Sequence, residues 1–319
     1  MTVSWVVGSR GLLGSALRRT LHREGAELFS PGVRFDWASE AELGRQFATA
    51  IQAFAALAST AGRWEIYWAA GVGTMSSSEA VLEAETRILS QFLRLVECAP
   101  LLTAIPGALA FSSSAGAIYA GSPDYIITES TSPAPTTAYA HAKLRQEDIL
   151  RSFARANDHL FALVARLSTL YGPGQSLGKR QGLLTHIARC ILMNLPVQIY
   201  VPFDTIRDYI ASDDAAVAMI AALRATTATS RVLTKIIASE QPVTIAEIIA
   251  TFKKVARRAP RVVTSASKMS GIYSRRMCFR STALPGNALL PRTSLLVGIA
   301  QVMAAERAAH MRGWHRGVD

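Results

Sequence analysis

Apolar positions at the start of the chain fall into two registers. Val3 to Val7 is a short run interrupted only by Ser4, and it stops at Gly8. Beyond it Leu12, Leu13, Ala16, Leu17 and Leu21 recur at helical spacing as far as Gly25, which predicts a buried strand, a turn and an amphipathic helix. The alternation continues. A short strand is expected over Ala26–Phe29, a helix over Glu40–Leu57, a buried strand over Trp64–Ala70 ending in Gly71, and a helix over Ser78–Val96. Another strand reaches Ser112–Ser114, a helix covers Thr137–Ala156, and Phe161–Leu167 is the next strand. Elements alternating in this way imply an α/β fold, with a parallel sheet covered by helices on both faces.

After Tyr171-Gly172-Pro173-Gly174 the regularity weakens, and helices near Leu183–Leu195 and Ser212–Ala222 are separated by Pro196–Asp208. The expected organisation is a doubly wound domain over 1–170, with 209–240 returning to the sheet. A smaller interleaved lobe would be formed by 171–208 and 241–319.

With 319 residues, half of them hydrophobic and 18% charged, the chain can bury a substantial core. The longest apolar stretches, Leu101–Phe111 and Leu295–Ala305, are too short to span a bilayer, which takes about 20 residues. Val3 to Val7 runs directly into the glycine turn with no basic flank or cleavage site, so no signal peptide is expected. Cys98, Cys190 and Cys278 are dispersed and unpaired, which argues against disulfides or a metal site. They suit a reducing cytoplasm and are expected to serve as packing residues.

The formal charge of +11 sits at one end: after position 250 there are 13 Lys or Arg against Glu306 and Asp319, and the preceding part is balanced. Such a surface attracts anions. No helix-turn-helix, RNA-binding aromatic motif or zinc finger accompanies it, so an anionic small molecule is expected in place of nucleic acid.

Gly8-Ser9-Arg10-Gly11-Leu12-Leu13-Gly14 lies between the first strand and the first helix. The first glycine permits a tight turn, the second lets backbone approach a pyrophosphate, and the third allows close helix packing. The helix N-terminus then offers N–H groups and partial positive charge. An ordinary tight strand-to-helix turn could use three glycines too; the position at the end of a buried strand favours dinucleotide binding. No GK[ST] follows, which argues against a phosphate-transferring loop. The end of the second strand, Phe29-Ser30-Pro31-Gly32-Val33-Arg34, carries no carboxylate for the ribose hydroxyls of NAD. Arg10 and Arg34 could pair with a 2′-phosphate, which tilts the expectation towards NADP over NAD.

Tyr139-Ala140-His141-Ala142-Lys143 places Tyr139 and Lys143 four apart on one helix face. The ammonium is expected to favour the phenolate and lower its pKa, making the phenol a proton exchanger for a substrate hydroxyl or carbonyl. Taken alone, this spacing is common as a surface pair. Its context is Phe111-Ser112-Ser113-Ser114 at a strand end, where open α/β sheets bind ligands and where a hydroxyl could reach the reacting oxygen. His141 and His186 point elsewhere and are expected at the surface or in packing, and Asp213 and Asp214 as a helix cap and first-turn carboxylates.

Gly8/Gly11/Gly14, Ala69-Ala70-Gly71, Ser112 to Tyr119, Tyr139 to Lys143, Arg166 to Gln175 and Arg207-Asp208-Tyr209-Ile210 together resemble the extended short-chain dehydrogenase/reductase family. That family includes NAD-dependent epimerases, dehydratases and sugar-nucleotide reductases. The resemblance runs to about Ala222 and implies a Rossmann-type fold with a smaller C-terminal substrate lobe. It implies a catalytic triad of Ser114, Tyr139 and Lys143, with Ser113 an alternative because Ser113–Tyr119 holds one residue more than the commonest form. Cofactor contacts are expected from Gly8, Arg10, Gly11, Leu12, Gly14, Arg34, Ala69, Ala70, Gly71, Tyr139 and Lys143. Substrate contacts are expected from Ser113, Thr169, Arg207 and Arg280, with Arg275 and Arg276 as further candidates. Arg207 would grip the pyrophosphate, as in the strand of UDP-galactose 4-epimerase that Ile206–Ile210 resembles.

Departures narrow the reading. Ala115 and Gly116 stand where sugar-nucleotide 4,6-dehydratases carry Asp-Glu, which disfavours elimination of water. The glycine turn is similar to that of GDP-fucose synthase, whose cysteine beside the serine is missing. An asparagine of the family is absent around Glu85 or Thr86, and Thr169 replaces another. The expected activity is NAD(P)-dependent epimerisation of a nucleotide-activated sugar, ahead of NADPH-dependent reduction of a 4-keto sugar. A non-catalytic dinucleotide sensor is the rival outside catalysis; such proteins typically lose the Tyr/Lys pair. No metal and no membrane partner are expected, and a homodimer is.

Overall fold

β1 (Val3–Val7) is buried along its whole length, Ser4 included. It lies inside a six-stranded sheet whose other members are β2 (Glu27–Phe29), β3 (Trp64–Trp68), β4 (Gly107–Ser114), β5 (Leu160–Leu167) and β10 (Val232–Ile237). Their order is β10-β5-β4-β3-β1-β2, and every pairing is parallel. The chain steps from β1 to β2 on one side and returns to place β3 on the other. That reversal opens a crevice at the carboxyl ends of β1 and β3, where ligands of doubly wound sheets bind. The computed structural model describes residues 1–175, 182–226, 231–264, 275–284 and 292–313.

Both faces of the sheet are covered, so its strands read as near-continuous apolar runs. On one face α2 (Glu40–Ala61), α3 (Glu79–Glu97), the short α4 (Pro100–Thr103) and α6 (Ala138–Ala156) enclose a core containing Trp5, Phe47, Phe54, Trp64, Trp68, Phe92 and Phe111. On the other, α1 (Leu12–Arg23) and α8 (Ser212–Arg224) pack Leu13, Leu17, Leu21, Met219 and Leu223 against Tyr67, Leu163 and Ala165. Between β4 and α6 lies α5 (Ala115–Ile118).

The remaining elements are β6 (Thr169–Tyr171), α7 (Leu183–Leu192), β7 (Val197–Ile199), β8 (Ile206–Arg207), β9 (Tyr209–Ala211), β11 (Val243–Thr244), α9 (Ile245–Ala256), β12 (Val262–Thr264) and α10 (Leu295–Met311). Tyr171, Ile187, Ile191, Tyr209, Ile248, Phe252, Ile299 and Val302 form a separate buried cluster among them. Tyr209–Ala211 pairs with Thr169–Tyr171 outside the main sheet, and the segment that returns to the sheet is Val232–Ile237. Asp208 makes the joint: its buried carboxylate accepts from Ser168 Oγ at 2.6 Å, Ser239 N at 2.9 Å and Ser239 Oγ at 2.9 Å.

Two expectations change. Cys98 is exposed and Cys278 half-buried, and only Cys190 is buried. Pro196–Asp208 contains two short strands, β7 paired to β12 and β8 to β11. Among the described residues no helix is long and apolar enough to cross a membrane, and no group of His, Cys, Asp and Glu could hold a metal ion. Of the basic residues after position 250, Lys268 and Arg316 lie outside the described residues.

Candidate active site

A cleft of about 690 Å³ opens at the carboxyl ends of β1, β3, β4 and β5. The glycine turn forms one end. Gly8 has φ +85°, and a Cβ there would lie 2.5 Å from Ala70 N, so a side chain would push β1 and β3 apart at the crevice. Gly14 is held against the same turn, and a Cβ on it would stand 2.2 Å from Gly8 O. The N-cap of α1 is Gly11, with no side-chain cap and no acidic residue in the first turn. By contrast, Ser39 and Thr137 accept from the helix N–H groups of α2 and α6. The α1 terminus thus keeps its donors and partial positive charge for an anion. Arg10, Gly11, Leu12, Ala69, Ala70 and Gly71 line the cleft here.

Tyr139 and Lys143 enter from α6, whose first turn Thr137 fixes by accepting from Ala140 N at 3.2 Å. Lys143 is buried among Phe111 and Tyr139, its Nζ 5.1 Å and 5.7 Å from the two ring centroids. The ammonium donates to Gln146 Oε1 at 3.1 Å, and Gln146 Nε2 donates to Thr86 Oγ1 on α3 at 3.1 Å. Burial pulls the Lys143 pKa down, opposed by Glu85 and Glu147.

The phenol does not behave as its neighbour's charge predicts. Burial pushes the Tyr139 pKa above its ordinary value, and Glu85 pushes it further; the hydrogen bond with Ser114 works the other way. Burial, with Glu85 beside it, outweighs the lowering expected from Lys143, whose ammonium donates to Gln146.

The three serines at the end of β4 have separate partners. Ser112 Oγ donates to Trp68 O at 2.8 Å, and Ser113 Oγ donates to Glu147 Oε1 at 2.6 Å. Ser114 accepts from Ala117 N at 3.3 Å and is the serine hydrogen-bonded to Tyr139. The geometry therefore puts Ser114, and not Ser113, beside the phenol. Alternation along the strand turns Ser113 the other way.

Thr169, Arg207, Tyr209, Gln175 and Met277 line the other end of the cleft. Arg34 is exposed in the segment after β2 and is not among the lining residues. Arg280 also lies outside, exposed, with its backbone N–H on Ile127 O. Arg275 pairs with Asp204, and the Arg276 guanidinium stacks 4.2 Å from the Tyr125 ring centroid. His141 and His186 are exposed and away from the cleft. Asp213 pairs with Arg19 at 2.6 Å, and Asp214 accepts from Thr293 N at 2.6 Å.

Glu85 was missed by sequence reasoning as a site residue. Its carboxylate lines the cleft and accepts from both Val72 N and Gly73 N at 2.5 Å. The only signal for it was the absent family asparagine.

The model of the NAD dependent epimerase/dehydratase family matches residues 5–233. The chain belongs to that family. The dTDP-L-rhamnose 4-epimerase of Burkholderia thailandensis is 34% identical over 94 residues, which is 29% of this chain and 26% of that one. The dTDP-4-dehydro-6-deoxyglucose reductase of Escherichia coli is 31% identical over 114 residues, 35% of each chain. The chain thus matches about a third or less of the length of these curated relatives. Among solved structures, the UDP-glucose 4-epimerase of Thermus thermophilus in complex with NAD superposes with a TM-score of 0.79 at 20% identity. The match covers 97% of this chain and 100% of that one, and speaks to the fold alone.

Proposed function

We propose that this family member is an NAD(P)-dependent epimerase of a nucleotide-activated sugar, acting through a transient keto intermediate. The observation that carries the reading is the phenol of Tyr139, hydrogen-bonded to Ser114 and packed beside Lys143, in one cleft with the open N-terminus of α1. The close backbone approach at Gly8 and Gly14 and the side-chain-free cap at Gly11 fit a pyrophosphate. Gly8, Gly11, Leu12 and Gly14 would hold the dinucleotide with Ala69, Ala70 and Gly71. When bound, it supplies a carbon that accepts and returns hydride.

The residues of this chain do the rest. In its deprotonated form Tyr139 takes the proton of a sugar hydroxyl as hydride leaves, and returns it when the carbonyl is reduced on its other face. Ser114 orients the sugar oxygen through its bond to the phenol. Lys143 places positive charge beside the ring. Arg207 and Thr169 would contact the substrate, and a guanidinium suits pyrophosphate oxygens. In this reading the sheet half binds the dinucleotide, and residues 171–208 and 241–319 bind the sugar nucleotide. The protein works in the cytoplasm as a homodimer.

The reductase reading is favoured by a specific feature. No carboxylate ends β2, and Arg10 lines the cleft beside the glycine turn, which suits a 2′-phosphate and exchangeable NADPH. Arg34 and Arg280 keep their proposed roles only if the segments bearing them turn towards the cleft on binding.

Mass spectrometry of cofactor released from the purified protein, with UDP- and dTDP-sugar panels followed by NMR, tests the reading. Retained NAD with interconversion of two epimers is the expected result. Exchangeable NADPH consumed stoichiometrically supports the reductase, and absence of any bound dinucleotide sinks both. Gly14→Ala supplies a check on the turn: dinucleotide affinity should fall about 10-fold or more, since the new methyl displaces the backbone by more than a contact can absorb. Titration calorimetry reads it, and unchanged affinity would place the dinucleotide elsewhere.

A further inference from the structure

Among the described residues, six titratable or charged side chains line the cleft: Arg10, Glu85, Tyr139, Lys143, Arg207 and Tyr209. Glu85 is the single carboxylate among them, in a site otherwise suited to anions. It is not there for want of a partner elsewhere, since its carboxylate caps the N–H groups of Val72 and Gly73, in the segment that continues β3. These two hydrogen bonds from the loop after β3 hold the carboxylate in the cleft. Glu85 lines the same cleft as Tyr139 and Lys143 and acts electrostatically on both. The next residue on α3, Thr86, anchors Gln146 and through it the ammonium of Lys143. Adjacent residues of one helix turn therefore help to position both a carboxylate and an ammonium of this cleft.

A nicotinamide ring is a cation when oxidised and neutral when reduced. A buried ammonium alone would repel the oxidised form, and a fixed carboxylate nearby offsets this, with little water to screen either charge. We propose that Glu85 is a positioning residue that gives the cleft its preference for the oxidised dinucleotide, its carboxylate held for that role by the Val72 and Gly73 amides. The inference rests on the dinucleotide reading above. Its chemical consequence suits an epimerase, which must keep the oxidised cofactor in place between turnovers.

The test is equilibrium binding of NAD⁺, NADH, NADP⁺ and NADPH to the full chain, followed by calorimetry and nucleotide fluorescence. Wild type, Glu85→Gln and Glu85→Asp are compared. In Glu85→Gln the affinity for the oxidised form should fall about 3- to 10-fold relative to the reduced form. Glu85→Asp, which keeps the charge but reaches less far, should retain the wild-type ratio even where both affinities drop. Equal weakening of both forms in Glu85→Gln, or no change, would reduce Glu85 to a loop clamp and overturn the proposal. If the wild-type chain binds neither form, the dinucleotide reading itself fails and takes this one with it.

Discussion

Replacing Tyr139 by Phe should lower turnover of the sugar nucleotide by about 10²- to 10⁴-fold, the usual contribution of a positioned proton-transfer group. The ring's packing under Lys143 survives the change, and what is lost is the hydroxyl and its bond to Ser114. Dinucleotide affinity should accordingly stay within about 3-fold of wild type. Burial and Glu85 hold the phenol above its ordinary pKa, so it carries its proton through the neutral range. Proton donation to a carbonyl is then available at pH 7, whereas proton abstraction from a hydroxyl becomes easier as pH rises. In the wild type, the rate of sugar oxidation should climb with pH on the alkaline side, and the Phe variant should lose that climb. Steady-state turnover across pH, with binding measured separately, reads both effects. A Phe variant that turns over within about 3-fold of wild type would move the chemistry to another residue.

Much of this arrangement was readable along the chain because it is local. The apolar run from Val3, the glycines at 8, 11 and 14, and the helical spacing from Leu12 fix strand, turn and helix within about twenty residues. Tyr139 and Lys143 share a helix face for the same reason. The serines show where local reading stops. Ser113 and Ser114 are equivalent by composition, and they separate only because strand alternation turns one towards Glu147 and the other towards Tyr139. The behaviour of the phenol needed the third dimension as well. Its pKa follows from burial and from Glu85, which lies 54 positions earlier on another helix.

Charge was the less dependable guide. The excess of basic residues after position 250 suggested that Arg275, Arg276 or Arg280 would meet an anionic substrate. Arg275 pairs with Asp204, Arg276 stacks on Tyr125, and the cleft takes Met277 from this segment instead. Where a backbone segment is pinned decides which of its side chains reaches a site. Here the pins are the carboxylate of Glu129, which accepts from Ser281 Oγ at 2.6 Å and Thr282 N at 2.7 Å, and the Arg280 N–H on Ile127 O at 2.9 Å. None of these contacts has a sequence signature.

The second large effect is expected behind the site, at Glu147. This side chain is fully buried one turn beyond Lys143, and its carboxylate accepts four hydrogen bonds. Arg166 supplies two, at 3.0 and 2.7 Å, Ser113 one at 2.6 Å and Arg151 one at 3.1 Å. Arg166 is itself only 5% exposed and also donates to Tyr119 Oη at 2.5 Å. Glu147→Ala leaves that guanidinium buried without its counter-charge, which costs about 3–5 kcal/mol. Against a total stability of about 5–15 kcal/mol, this should lower Tm by about 4–8 °C in a calorimetric scan. Arg151 can turn to Asp148 or to solvent, so the loss falls on Arg166. The pair, and not the helix, is at stake: Glu147→Leu combined with Arg166→Met removes both charges and should recover part of the loss, because a buried ion pair stabilises little over apolar residues that fill its volume. A Glu147→Ala protein melting within about 2 °C of wild type would mean that water or another group reaches Arg166. The same substitution releases Ser113, the residue that fixes the end of β4 just before Ser114. Surviving protein should therefore lose turnover as well, although Glu147 never touches the cleft.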